Sequence, residues 1–251
     1  MNHKPIILVM AGHDPTGGAG IQADIEAIHA MGGHALSLIT ALTTQDTRSV
    51  YDFKIVPLQQ LRHQAKILLA DCTPDAFKLG MLGDPSIVSL AIELLEQYPD
   101  VPVVLDPVLS GNLHGSLATP HLIDALLELL PQTTLLTPNI PELTALTADL
   151  SESEFFEAGL QFLLLKGAHR QGTIIQNELR SATGIIYRHE APRLPAEFHG
   201  SGCTLASACA CLLGQGLSVP EAVTRALDYT QDCLARAFAI GKGQLIPGRK
   251  P

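Results

Sequence analysis

The sequence predicts an α/β fold, a mostly parallel central sheet with helices on both faces and a hairpin at its C-terminal edge. Three observations carry this expectation. Short aliphatic or β-branched runs alternate with longer helix-like segments from residue 5 to residue 169, and repeated strand–helix–strand order builds parallel sheets. The runs are apolar throughout rather than alternating, as in "VPVVLDPV" at 101–108, which marks strands buried on both faces. After residue 170 the text changes to two strands around a turn, "GTIIQNELRSATGIIYRHEAPRL", and helical text resumes from 203 to 238.

Taken in order, "PIILVMAG" (5–12) is the first buried strand. The N-terminus lacks the basic region and cleavage site of a secretory signal, and its apolar run is too short to span a bilayer. Further strands are "HALSLITALTTQ" (34–45), "AFKLGML" (76–82), "VPVVLDPV", "TTLLTPN" (133–139) and "FLLLKGAH" (162–169). Helices are expected at 20–31, 57–70, 84–97, 119–130 and 140–147. Ser151 with Glu154 three residues on reads as the cap of a short helix that runs almost directly into the last parallel strand. No linker, low-complexity run or internal repeat interrupts the text, so one domain over residues 1–251 is the expectation.

With 46% hydrophobic residues and no Trp in 251, the core must be large and aliphatic. A net charge of −9 argues against nucleic acid, whose phosphates want a basic surface. It leaves room for a small phosphorylated ligand. The five cysteines, at 72, 203, 209, 211 and 233, show no metal-ligand spacing and no paired framework. Reduced thiols and a cytoplasmic location follow as the expectation.

Polar punctuation gathers at one edge. Gly12–Gly20, Gln45, Gly80–Met81, Asp106–Pro107, Asn139 and Lys166–Gly167 all fall at or just beyond the C-terminal ends of expected strands. In an open parallel sheet that edge binds ligands. Gly18, Gly20 and Ala23 formally match the dinucleotide fingerprint G-x-G-x-x-G/A, which would make an NAD-dependent oxidoreductase. That fingerprint needs a tight turn straight off the strand, whereas about six residues intervene here. Asp24 reads two ways: as a carboxylate stabilised near a helix N-terminus, or, with Gln45, as a reader of the edges of a heteroaromatic ring.

"EFHGSGCTLASACACLLG" (197–214) places two glycines and a thiol at a helix entrance. Such an entrance exposes unpaired amides and the positive end of the helix dipole, and Gly200 and Gly202 let an oxyanion approach the backbone. This suits phosphoryl transfer, where catalysis is chiefly positioning and charge stabilisation. Cys203 is either a base, its thiol pKa lowered at the helix start, or a buried structural cysteine like Cys209 and Cys211.

"AGHDPTGGAGIQADIEAIHAMGGHALSLITALTTQDT" resembles the N-terminal signature of the hydroxymethylpyrimidine/phosphomethylpyrimidine kinases of thiamine biosynthesis, members of the ribokinase-like superfamily. "KLGML", "VVLDPV", "LLTPNIPEL", "LLKGAH" and "HGSGCTLASA" follow in that family's order. The resemblance implies a three-layer ribokinase-like fold and ATP-dependent phosphorylation of 4-amino-5-hydroxymethyl-2-methylpyrimidine and its monophosphate. It makes Cys203 the catalytic base, with Gly200, Ser201 and Gly202 around the transferring phosphoryl group. Gly12, Ala19, Asp24, Gln45, Met81 and Val108 would surround the pyrimidine. Asp106, Asn139, Glu142, Lys166 and Lys242 would serve ATP, and Asp106 and Glu142 would hold Mg²⁺ directly or through water. A homodimer is also implied.

Three stretches depart from the family pattern: "PVLSGNLHGSLAT" after Asp106, "PAEFHGSGC" before the helix entrance, and a shortened segment at 151–162. A pyridoxal kinase is the nearest alternative, and a silent pyrimidine-binding module a further one.

Overall fold

A computed structural model describes residues 4–111, 115–116, 119–147, 150–168 and 172–250. In chain order the elements are β1 (Ile6–His13), α1 (Gly20–Ala30), β2 (His34–Gln45), β3 (Val50–Ile55), α2 (Leu58–Asp71), β4 (Ala76–Leu79), α3 (Pro85–Leu95) and β5 (Val103–Leu105). A two-stranded pair, β6 (Ser110–Gly111) and β7 (Gly115–Ser116), precedes α4 (Pro120–Leu127), β8 (Leu135–Leu136), α5 (Ile140–Leu146) and α6 (Glu152–Glu157). The chain continues through β9 (Phe162–Leu165), β10 (Ile174–Ser181), β11 (Gly184–Pro192), α7 (Ser201–Gly214) and α8 (Val219–Ala235).

The main sheet has nine strands in the order β11-β10-β9-β8-β5-β4-β1-β2-β3. Every pairing from β9 to β2 is parallel, and the antiparallel pairings lie at the two edges. Because successive strand residues face opposite ways, each strand feeds two cores. Leu8 and Met10 of β1 join Leu61, Ile87, Leu126, Leu143 and Phe155, from α2 to α6. Ile7, Val9 and Ala11 join Ile28 of α1, Ala206 and Ala210 of α7, and Val223 of α8. The result is the three-layer arrangement, with α7 close against the sheet through its small buried side chains.

Local chemistry sets the helix starts. Asp84 caps α3 by accepting from the Ser86 N–H at 2.9 Å, and Pro85 follows at the position where its missing N–H costs nothing. Thr119 caps α4 in the same way, accepting from Leu122 at 3.2 Å. The Glu154 carboxylate accepts from the Ser151 N–H at 2.6 Å, as the short-helix reading expects.

The sequence misses β3. None of its residues, VYDFKI, is buried, so no apolar run marks them. Asp46 accepts from the amides of Arg48 and Ser49 at 2.7 and 3.0 Å, a side-chain-built turn that folds β3 back on β2. The helical text at 203–238 is two helices: Gly216 takes a left-handed φ of 84° and ends the first. The expected strand at 162–169 is a strand at Phe162–Leu165, and His169 lies outside the described residues, as do residues 112–114 and 117–118 of the divergent loop at 107–119. Among the described residues, no helix is long and apolar enough to cross a membrane.

Candidate active site

The C-terminal ends of the parallel strands open into a cleft of about 1240 Å³. It is walled by Gly12 from β1, Ala19 before α1, Gln45 from β2, Met81 after β4 and Asp106 and Val108 after β5. Asn139 and Glu142 come from the start of α5, Lys166 from the end of β9, and Gly200, Ser201, Gly202 and Cys203 from the entrance of α7. Lys242 stands exposed on the loop after α8 and also lines the cleft. Of the site residues expected from sequence, Asp24 alone is not in the wall.

At the α7 entrance Gly200 adopts φ 80°, a conformation disfavoured for side-chain-bearing residues. A Cβ there would stand 1.9 Å from the Gly18 carbonyl oxygen, so the glycine is required twice over. The first α7 amide with an intrahelical acceptor is that of Thr204, donating to the Gly200 carbonyl at 3.0 Å. The amides of Ser201, Gly202 and Cys203 have no acceptor among the described residues, and helix-start amides of this kind bind anions. A Cβ on Gly202 would lie 3.1 Å from Lys166 Nζ, so an anion held here has an ammonium beside it.

The glycine-rich loop after β1 is filled differently. Asp14 accepts from the amides of Thr16 and Ala19 at 2.8 and 2.7 Å and contacts His199 Nε2 at 2.8 Å. Burial pushes the Asp14 carboxyl up, but the His199 and loop hydrogen bonds outweigh it and hold it below its ordinary value. The loop's amides thus serve the chain's own carboxylate rather than a pyrophosphate, which removes the geometric basis for the dinucleotide reading.

Lys166 Nζ donates to Asp106 Oδ1 at 2.9 Å and lies 3.7 Å from Glu142 Oε2. Thr137 donates to Asp106 at 3.3 Å. Burial raises the Asp106 carboxyl, yet Lys166 and Lys78 together hold it below the usual range. Glu142 goes the other way, raised by burial and by the Asp106 charge against the pull of Lys166. Asn139 and Glu142 also form a reciprocal cap on α5, each accepting from the other's amide at 2.8 Å. Among the described residues no cluster of three or more acidic, His or Cys side chains is placed to cage a metal. Two carboxylates do fit Mg²⁺, which keeps several waters and takes its remaining ligands from phosphates. Replacing Lys166 with Met leaves both carboxylates facing incoming phosphates without a counter-charge. The KM for ATP is expected to rise about tenfold or more, at least ~1.4 kcal/mol. A steady-state KM within about twofold of the parent would take Lys166 out of nucleotide binding.

Two expectations need correction. Cys203 is not the thiolate that its helix position suggests: burial pushes the thiol up to about 11, against the lowering effect of Lys78 and of the Gly20 amide. Desolvation therefore outweighs the helix start. Asp24 is not a wall residue. Helix α1 begins at Gly20 and has no acidic residue in its first turn, which also removes the dipole reading. The Asp24 side chain is fully buried, 2.9 Å from Lys78 Nζ, and accepts from Ser207 Oγ at 2.7 Å. Lys78 is the group that reaches the cleft wall. Sequence reasoning passed over Lys78, although a lysine inside "AFKLGML" is the available signal. It also passed over Asp14, His199 and Arg249. Cys209 and Cys211 are buried inside α7, as expected.

A three-layer sheet with an open amide-lined helix entrance beside a lysine–carboxylate cluster defines a small-molecule kinase of the ribokinase-like class. Residues 14–247 match the family described as phosphomethylpyrimidine kinase, and the chain belongs to that family. A hydroxymethylpyrimidine/phosphomethylpyrimidine kinase of Streptomyces coelicolor is 37% identical over 251 residues, covering 95% of this chain and 92% of that protein. A thiamine biosynthesis multifunctional protein of Corynebacterium efficiens is 36% identical over 96% of this chain, which spans only 34% of that longer protein. Among solved structures, a Staphylococcus aureus pyridoxal kinase in complex with AMP-PCP and pyridoxal superposes with a TM-score of 0.89 at 25% identity, covering 99% of this chain and 94% of that one.

Proposed function

We propose that the protein transfers the γ-phosphoryl group of ATP to the hydroxymethyl group of 4-amino-5-hydroxymethyl-2-methylpyrimidine, and then to the resulting monophosphate, in thiamine biosynthesis. The carrying observation is the set of three α7 amides without internal acceptors, that of Cys203 among them, with Lys166 beside Gly202. In the first transfer the acceptor O–H bond breaks, its proton passes to the ionised fraction of Cys203, and the oxygen bonds to phosphorus as ADP leaves. Gly12, Ala19, Met81 and Val108 make the apolar bed of the ring. Gln45 Nε2 donates to Thr43 Oγ1 at 2.7 Å, which turns its amide oxygen free for the 4-amino group. Asp106 and Glu142 would hold Mg²⁺ with the phosphates, and Mg²⁺ supplies charge neutralisation there. Asn139 and Lys242 complete the nucleotide side.

The free cysteines at 72, 203, 209, 211 and 233 suit a reducing, cytoplasmic setting. One domain over the whole chain and a homodimeric assembly belong to the same reading. A pyridoxal kinase is the second reading, favoured by the closeness of the pyridoxal-kinase backbone. Steady-state assays with ATP against hydroxymethylpyrimidine, its monophosphate and pyridoxal decide between them. A higher kcat/KM on pyridoxal would replace the first reading with the second, and NADH binding without ATP binding would reject both.

A further inference from the structure

The C-terminal tail plays no part in the chemistry above, yet it carries a guanidinium with a fully buried side chain, Arg249. Its Nε donates to Thr204 Oγ1 at 2.8 Å and one terminal nitrogen to Glu26 Oε2 at 3.1 Å. The other terminal nitrogen donates to the Gly18 carbonyl. Thr204 Oγ1 passes the link on, donating to the Gly200 carbonyl at 2.8 Å. One planar fork therefore grips the two segments whose backbones already touch, Gly18 before α1 and Gly200 at the start of α7.

The tail also pairs with the strand-like segment leading into α7. His199 N–H donates to the Leu245 carbonyl at 2.9 Å, and Leu245 N–H to Glu197 at 3.0 Å. Anchoring a tail does not call for a charge, since the neighbouring Ile246 is buried and apolar burial suffices. Sinking a cation costs several kcal/mol unless its donors are satisfied in good geometry, and a rigid fork of donors in fixed directions is what distinguishes Arg from Lys.

We infer that Arg249 is a positioning residue of the phosphoryl-transfer site, fixing the glycine-rich loop against the first turn of α7 so that the amides of Ser201, Gly202 and Cys203 converge on one anion. This rests on the kinase reading and touches neither substrate. A displacement of about 1 Å at such a site costs up to about a hundredfold in rate, and removing the fork frees both segments at once.

The test uses the full chain with Arg249→Met, Arg249→Lys and Thr204→Val, measuring kcat, both KM values, calorimetric affinity for AMP-PCP, and the unfolding midpoint. Arg249→Met is expected to weaken AMP-PCP by about tenfold and to lower kcat by at least that factor, with the KM for the pyrimidine within about twofold of the parent. Arg249→Lys should fall between the two, because one donor of the fork survives. Combining Thr204→Val with Arg249→Met should add less than the sum of the single losses, as for residues acting in one network. A lowered midpoint with AMP-PCP affinity and kcat unchanged would overturn the inference and leave Arg249 as a tail anchor. So would a loss confined to the pyrimidine KM. If Arg249→Met does not fold, Thr204→Val decides by the same readouts. A parent protein that neither binds AMP-PCP nor phosphorylates the pyrimidine would instead sink the kinase reading itself.

Discussion

Replacing Cys203 by alanine is expected to lower kcat on the alcohol substrate by about a hundredfold to ten-thousandfold, the range a positioned general base supplies. Pyrimidine binding should survive, because the proposed ring bed consists of other residues of the cleft wall. The two transfers should separate sharply. A phosphate monoester loses its second proton near pH 6, so the second acceptor is already an anion at neutral pH and needs no base. The same variant should therefore keep most of its activity on the monophosphate. Equal losses on both acceptors would mean that Cys203 shapes the cleft and does not take the proton.

The pH dependence follows from burial. Burial pushes the thiol up to about 11, and below that value the thiolate fraction rises about tenfold per pH unit. Since kcat/KM reports the free enzyme, kcat/KM on the alcohol should climb from pH 7 to pH 9 without a plateau. On the monophosphate it should flatten above about pH 7, once the acceptor is fully ionised. A plateau near neutral pH on the alcohol would show that the base is a group with a lower pKa.

What could be read without coordinates was the part of the fold written in apolar runs. Strands β1, β4, β5, β8 and β9 are buried on both faces and announce themselves. Strand β3 sits at the sheet edge with Tyr51 60% exposed, so its sequence has no reason to look like theirs. The strand-tip residues were legible too, because Gly, Asn and Asp at the ends of apolar runs have few other reasons to recur on one edge. Depth was not legible. The positions of Asp24 and Cys203 along the chain do not say how far each lies from water, which depends on elements distant in sequence. The partner of Asp24 is 54 residues away, on strand β4. Arg249 left even less trace, since nothing in "LIPGRKP" signals burial and terminal residues are more often loose.

The same buried pair gives the largest expected change in stability. Lys78→Met should destabilise the fold by about 3–5 kcal/mol, the cost of stranding one partner of a buried ion pair. Both side chains are fully buried. Burial opposes the Lys78 charge, but Asp24, Cys203 and Asp106 outweigh it and hold the ammonium well above its ordinary pKa. Burial has already raised the Asp24 carboxyl against the pull of Lys78, and without that lysine it must rise further. Asp24 would then take up a proton on folding. A carboxyl whose folded pKa lies above its unfolded one stabilises most below the unfolded value and loses that contribution as pH climbs through the folded one. The variant should accordingly lose stability relative to the parent as pH rises through the range between the parent's already raised Asp24 pKa and the variant's higher one. For a chain of this size the midpoint should drop by roughly 6–20 °C, read by thermal unfolding at several pH values. A drop below about 2 °C would mean that the pair contributes nothing net. Adding Asp24→Leu removes the stranded charge and should restore most of the loss, because replacing both members of a buried pair by apolar groups is often neutral or better. Activity should not return with stability, because the cleft wall next to Cys203 would still lack its ammonium. That split would separate what the pair does for the fold from what Lys78 does for the thiol.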